Sequence, residues 1–219
     1  MSKRYFNEIF PPNTDCLSRG NTRGLSYTLG KAHRASLWLT GVLFFSLSPY
    51  LAAEEDPRIA ASRDYASQLQ ETLSGKLTAA MQQGGPVSAI QVCQIEAPRI
   101  AAELSSSGAP SRVWRTSSRL RNPDNIPDEE ALQVLEQFAQ SLAGGDKPPL
   151  SEFITHPDGS ARYMQSIIMQ PPCLACHGAV LAEDVKAALA ERYPADQATG
   201  YNAGDLRGAF VVDWPVASQ

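Results

Sequence analysis

The sequence predicts an α+β domain in which two long helices lead into a small antiparallel sheet. Three observations carry that prediction. Tyr65, Leu69, Leu73, Leu77 and Met81 recur every four positions, the spacing that lines one face of a helix with apolar side chains. His156-Pro157-Asp158-Gly159 is a turn signal between two strand-like runs. Leu206 to Trp214 reads as a further strand, bounded by Gly204 and Pro215. A purely helical arrangement accounts for neither the turn nor the last strand.

The elements follow in chain order. The first helix covers residues 57–83 and ends at Gly84-Gly85, and Pro86 suits the first turn of a second helix over 86–105. On that second helix Ile90, Cys93 and Ala97 share a face. Pro98 is expected to kink it or to start a new turn, because proline lacks the donor to the carbonyl four residues back. Val113 to Ser117 alternates like a strand, and Arg121 to Pro127 is rich in turn residues. Pro127-Asp128-Glu129-Glu130 opens a helix with acidic groups at the positive end of its dipole, running to Gly144-Gly145. Glu152–Thr155 and Ala161–Met169 form the hairpin around Pro157-Asp158-Gly159, and residues 182–193 form a short Ala-rich helix.

The front of the chain reads as an export signal. Lys31, His33 and Arg34 precede the apolar run Ala35 to Leu47, and Pro49 and the small pair Ala52-Ala53 follow it. A basic start, a short apolar stretch and small residues are the parts of a secretory signal over 31–53, with cleavage expected after Ala53. The run is short against the ~20 apolar residues a membrane span needs, so anchoring by residues 35–53 is the lesser alternative. Residues 1–30 are polar and without periodicity, a disordered leader or one preceding a true start near Leu25 or Leu29. Residues 54–219 then form the single folded domain, and a periplasmic location is expected.

The first 53 residues hold six basic and two acidic side chains, so the remainder carries 13 basic and 21 acidic residues, a net charge of −8. Such a surface argues against a nucleic-acid partner, whose phosphates need a basic face.

Pro172-Cys173-Leu174-Ala175-Cys176-His177-Gly178 holds the densest chemistry in the chain. Cys-x-x-Cys-His is the pattern of covalent haem attachment: two thiols reach the vinyl groups of the ring, and the adjacent imidazole reaches the iron. One haem c is therefore expected, held by Cys173 and Cys176, with His177 as the proximal iron ligand. A dithiol redox pair would sit at a strand–helix junction of a βαβ unit, which this region does not suggest. A zinc site needs a second ligand pair, and the only other histidines are His33 and His156.

Without the leader, which carries Cys16, Cys93 has no thiol partner. It reads in two ways, as a buried thiol packing like a small apolar group or as a ligand on the open face of the iron. Arg112, Arg115, Arg119 and Arg121 form the only basic cluster. It is a solvated strand edge, a docking patch for an anionic partner, or a set of contacts from Arg115, Arg119 and Arg121 to the haem propionates.

Four stretches in order resemble a known family. They are Ala89 to Cys93 with Ala97 to Ala101; Arg115-Thr116-Ser117 through Arg121 to Asp128; Cys173 to Gly178; and Gly200 to Phe210. Over about residues 57–215 the chain is similar to a single-haem c-type domain of unknown function with a PAS-like fold. Its members are small exported proteins of photosynthetic bacteria and sensor parts of membrane-bound signalling proteins. The resemblance implies a PAS-like antiparallel sheet and implies His177 and Cys93 as the two axial ligands of the iron. Met81, Met164, Met169 and His156 are the rivals for the distal position.

A thiolate is a soft anionic donor that favours ferric iron, so His177/Cys93 ligation implies a low potential. Two filled axial positions imply no enzymatic turnover at iron. The expected function is redox sensing, or sensing of a diatomic gas, through a separate signalling protein. The alternative is electron transfer between exported protein partners. A membrane is involved only if the signal segment stays attached.

Overall fold

The computed structural model describes residues 55–216 of the chain. The expected signal segment, its cleavage point and the anchor alternative lie outside them. Among the described residues, no helix is long and apolar enough to cross a membrane.

Helix α1, Pro57–Ser106, is two arms joined at a hinge. Asp56 caps its start, accepting from the Arg58 amide at 2.9 Å, and proline stands in the first turn. Helical geometry fails only at Gly84 and Gly85, and Gly85 has φ 68°, a backbone that a β-carbon disfavours. The two arms fold back on each other. Ala66, Leu69 and Leu73 of the first share a buried cluster with Ala97 and Ile100 of the second, and Lys76 pairs with Glu96 at 2.9 Å. Of the two outcomes expected at Pro98, a new turn does not form, since helical angles run through it. The carbonyl that loses its donor belongs to Gln94, which is exposed, as is Pro98, so water can satisfy it.

The expected α+β architecture follows. Strands β1 (Arg112–Thr116), β2 (Ser151–Thr155), β3 (Ala161–Ile168) and β4 (Leu206–Trp214) make one antiparallel sheet in the order β1-β4-β3-β2. Helix α2, Glu129–Gly144, enters between β1 and β2. A one-turn helix α3, Leu174–His177, and helix α4, Glu183–Arg192, lie between β3 and β4.

Alternation along the strands divides the core. Val113, Tyr163, Phe210 and Val212 face α1, while Trp114, Met164, Ala209 and Val211 face Ala131, Val134, Leu135 and Phe138 of α2. Each fully buried large apolar side chain contributes about 1.5–3 kcal/mol, and β4 supplies such groups to both faces. Polar ties fix the layers. Trp214 donates to Ser62 Oγ of α1 at 2.8 Å. Arg162 of β3 reaches Asp213 of β4 at 2.7 Å and Asp128, the N-cap of α2, at 2.7 Å.

Candidate functional site

The Cys-x-x-Cys-His stretch leaves the end of β3 and is strapped to the start of β4. Met169 donates to the Asp205 carbonyl at 2.9 Å, and Gly204 donates back to the Met169 carbonyl at 2.8 Å. A 3-10 turn at Pro171–Cys173 then passes into α3. Beyond His177 the chain is held by a short parallel bridge, with Tyr201 N to His177 O at 3.0 Å and Gly200 N to Gly178 O at 2.9 Å. Gly178 is required by space, since a β-carbon there would lie 2.6 Å from the Leu174 carbonyl oxygen, a backbone atom that cannot swing away.

The two motif thiols face different neighbours. Cys173 packs with Met169, Ala198 and Tyr201. Cys176 packs with the cluster that joins Ile90 of the second α1 arm to Val185, Leu189 and Tyr193. Cys93 lies one helical turn beyond Ile90, and so on the face turned toward that cluster. Cys93, Arg115, Cys173, Cys176 and His177 are each part-exposed, with dense protein around them.

The same groups are linked electrostatically. Burial pushes the Cys93 thiol up, opposed by the guanidiniums of Arg115, Arg121 and Arg207 in that order. Burial raises Cys173 as well, and pushes Cys176 up to about 11, with Cys93 adding a repulsive charge to both. Burial, then Arg121 and Arg207, hold the His177 imidazole well below its ordinary value, so it is neutral at physiological pH. Arg115 sits on β1 opposite Phe210.

Neutral His177 has a defined tautomer. Its Nδ1 lies 2.6 Å from the Ala198 carbonyl, which can only accept, so Nδ1 carries the proton and Nε2 the lone pair. That is how a metal-ligating histidine is held. Among the described residues, no three His, Cys, Asp or Glu side chains converge as a zinc site requires. A haem iron asks less of a protein, one donor on each side of the ring. The residues fit such a group: two thiols spaced two residues apart, an oriented imidazole, and a third thiol on another element.

The rival distal ligands separate on position. Met164 is fully buried in the α2-side core. Met81 lies on the first α1 arm and is 37% exposed. His156 is engaged at the far end of the hairpin, with Glu130 at 3.0 Å and Ser160 at 2.9 Å. Only Met169 stands beside the motif, packed against Cys173.

The arginines divide as well. Arg119 is exposed, stacks on the Tyr201 ring at 4.2 Å and donates to the Gln197 carbonyl at 3.2 Å. Arg121 is buried, its fork occupied by Asp196 at 2.9 and 3.2 Å and by the Cys176 carbonyl at 2.7 Å. Arg115 pairs with no carboxylate among the described residues, and neither does Arg207. Arg207 was not singled out from sequence. A shift of register between Ile167 and Ile168 leaves it unpaired between Leu206 and Gly208, and such a bulge re-aims a side chain. It lies 5.7 Å from the Tyr201 ring centre.

Residues 54–215 match the Tll0287-like family. Among solved structures, the chain is similar to the cyanobacterial heme-protein Tll0287, at 25% identity and a TM-score of 0.59, over 75% of this chain and 99% of that one. No curated protein matches it.

Proposed function

The chain belongs to the Tll0287-like family, and from that membership we propose that it is an exported haem protein with a redox role, sensing redox state or a diatomic gas. In this reading one haem c is held covalently by Cys173 and Cys176, with His177 and Cys93 as axial ligands of the iron. When bound, the haem supplies a one-electron couple and, on the face that Cys93 leaves, a position for a small ligand. A haem-protein neighbour of the same fold supports it. The observation that carries it is the pinned imidazole: Ala198 fixes Nδ1–H and leaves Nε2 as the donor, in the neighbourhood that Cys93 shares.

The protein's own groups do the rest. Arg115 and Arg207, without carboxylate partners among the described residues, provide positive charge for the propionates; Arg119 can join them from the rim, whereas Arg121 has its fork occupied. Arg115, Arg121 and Arg207 favour the Cys93 thiolate, against a burial that outweighs them and favours the thiol. Cys93 rides on the arm that follows the Gly84-Gly85 hinge, an arm packed on the sheet through Ala97 and Ile100. With both axial positions filled by the chain, no substrate is turned over at the iron.

Absorption and paramagnetic resonance spectra of wild type and Cys93→Ala test this reading. A low-spin ferric thiolate signal in wild type that is lost in the variant is expected, with carbon monoxide binding to the reduced form. Identical spectra for the two proteins would remove Cys93 from the iron. Electron transfer between exported partners is the second reading. Val180, three residues beyond His177 and 91% exposed, offers an apolar side chain beside the motif for such a partner. Rapid electron passage to a small exported acceptor, with no carbon monoxide binding, would select it.

A further inference from the structure

The pairing of Arg121 with Asp196 behind the motif is not used by any of the roles above. The Arg121 and Asp196 side chains are only 6% and 9% exposed and meet bidentately, Nη2–Oδ2 at 2.9 Å and Nε–Oδ1 at 3.2 Å. Burying two charges is weak evidence of stabilisation, so the pair calls for another account. Its remaining contacts all lead to one place. Arg121 Nη2 donates to the Cys176 carbonyl at 2.7 Å and to the Ala198 carbonyl at 3.2 Å, and Nη1 lies 3.5 Å from His177 Nε2. Asp196 Oδ1 accepts from the Ala198 amide at 2.9 Å.

We infer that Arg121 and Asp196 form a positioning clamp that sets both the orientation and the donor strength of His177. The inference rests on His177 being the haem ligand. Orientation follows from the closed circuit: Asp196 fixes the Ala198 peptide, Ala198 fixes the imidazole, and Arg121 ties that peptide to the backbone of Cys176. Donor strength follows from the shared acceptor. A carbonyl that takes the His177 proton donor makes the imidazole more basic toward a metal. Arg121 draws on the same oxygen, so that effect is held back, and its charge beside Nε2 further opposes ferric iron. Asp196 in turn limits the Arg121 charge. The two members of the pair therefore push the iron's preference in opposite directions.

The opposition gives the test. The full chain is produced with haem attached, attachment is checked by haem staining after denaturation, and the couple is titrated electrochemically. Arg121→Gln is expected to shift the ferric-to-ferrous equilibrium about tenfold toward ferric, about 59 mV downward for one electron. Asp196→Asn, which keeps the shape and the Ala198 contact, is expected to shift it about tenfold the other way. Both should broaden the ferric resonance signal, because each breaks the Arg121–Asp196 fork that steadies the circuit around the imidazole. A defect of folding alone would move the two variants in the same direction, and that result, or no shift in either, overturns the clamp. If Arg121→Gln fails to retain haem, Arg121→Lys takes its place. It keeps the charge and loses the fork, so it should broaden the signal while the potential stays within about threefold of wild type, and an unbroadened signal overturns the clamp. Wild type without covalent haem would instead sink the haem reading, and this inference with it.

Discussion

Arg162 joins the sheet to α2, and its removal can be worked through contact by contact. Its side chain is 14% exposed, reaching Asp213 at 2.7 Å, Asp128 at 2.7 Å and Glu130 at 3.2 Å. The contacts are unequal because their partners are. Asp213 is 20% exposed and also holds the Trp114 indole at 2.9 Å, so that bond is a part-buried charged one, worth about 1.5–3 kcal/mol. Asp128 is 52% exposed, and an ion pair at that exposure is worth about 0–1 kcal/mol. Arg162→Met should therefore cost about 2–3 kcal/mol, or ~4–12 °C in Tm for a domain of this size. Double-mutant cycles against Asp213→Asn and Asp128→Asn, read by denaturant unfolding at pH 7, separate the two arms. The Asp213 coupling should be the larger. Acid adds a signature. Burial pushes the Asp128 carboxyl up, but the Ala131 amide and Arg162 outweigh it and hold it below the usual range. Its contribution is complete above the unfolded value near 4 and is lost as pH falls through the lowered folded value, so its coupling should stay flat from pH 7 to about 4 and fade only below that. An Asp128 coupling equal to or above that of Asp213, or one that fades above pH 5, would refute the reasoning.

Two simpler outcomes follow from packing. Gly178→Ala places a β-carbon against the Leu174 carbonyl and should displace the bridge to Gly200 and Tyr201, lowering the fraction of chains that carry covalent haem, measured by absorbance per protein. Met164→Leu swaps similar volumes in the α2-side core, so it should cost under about 1.5 kcal/mol and leave the ferric and ferrous spectra unchanged, while a spectral shift would return Met164 to the iron.

Local signals in the sequence foretold most elements. Leu206–Trp214, the hairpin after Thr155, the double-glycine hinge and the helix capped by Asp128 all form where turn and cap residues mark them. Which of its two outcomes Pro98 takes is not legible locally, because the penalty for proline in a helix depends on whether water reaches the abandoned carbonyl, a tertiary fact. The motif itself was legible because its spacing is local, but its support was not. Arg121 reads as one of a run of surface arginines until the fold brings Asp196 to it from 75 residues away. Arg207 reads as an ordinary strand residue, because a bulge is set by how two strands register and not by either strand alone.

The position of β4 has a consequence in time. It is the last described strand to be made, yet it lies between β1 and β3, and Thr116 must wait for Ala209, 93 residues later, to find its partner. Closing so long a loop costs about 4 kcal/mol in chain entropy before any pairing repays it. The sheet therefore assembles only once the end of the domain has emerged, and contacts of such separation form slowly. Until then the segment carrying Cys173 and Cys176 lacks the bonds from residues 200–205 that hold it in the folded domain. The strand order thus leaves an interval between synthesis and closure in which those two thiols are not yet held by the strap to β4.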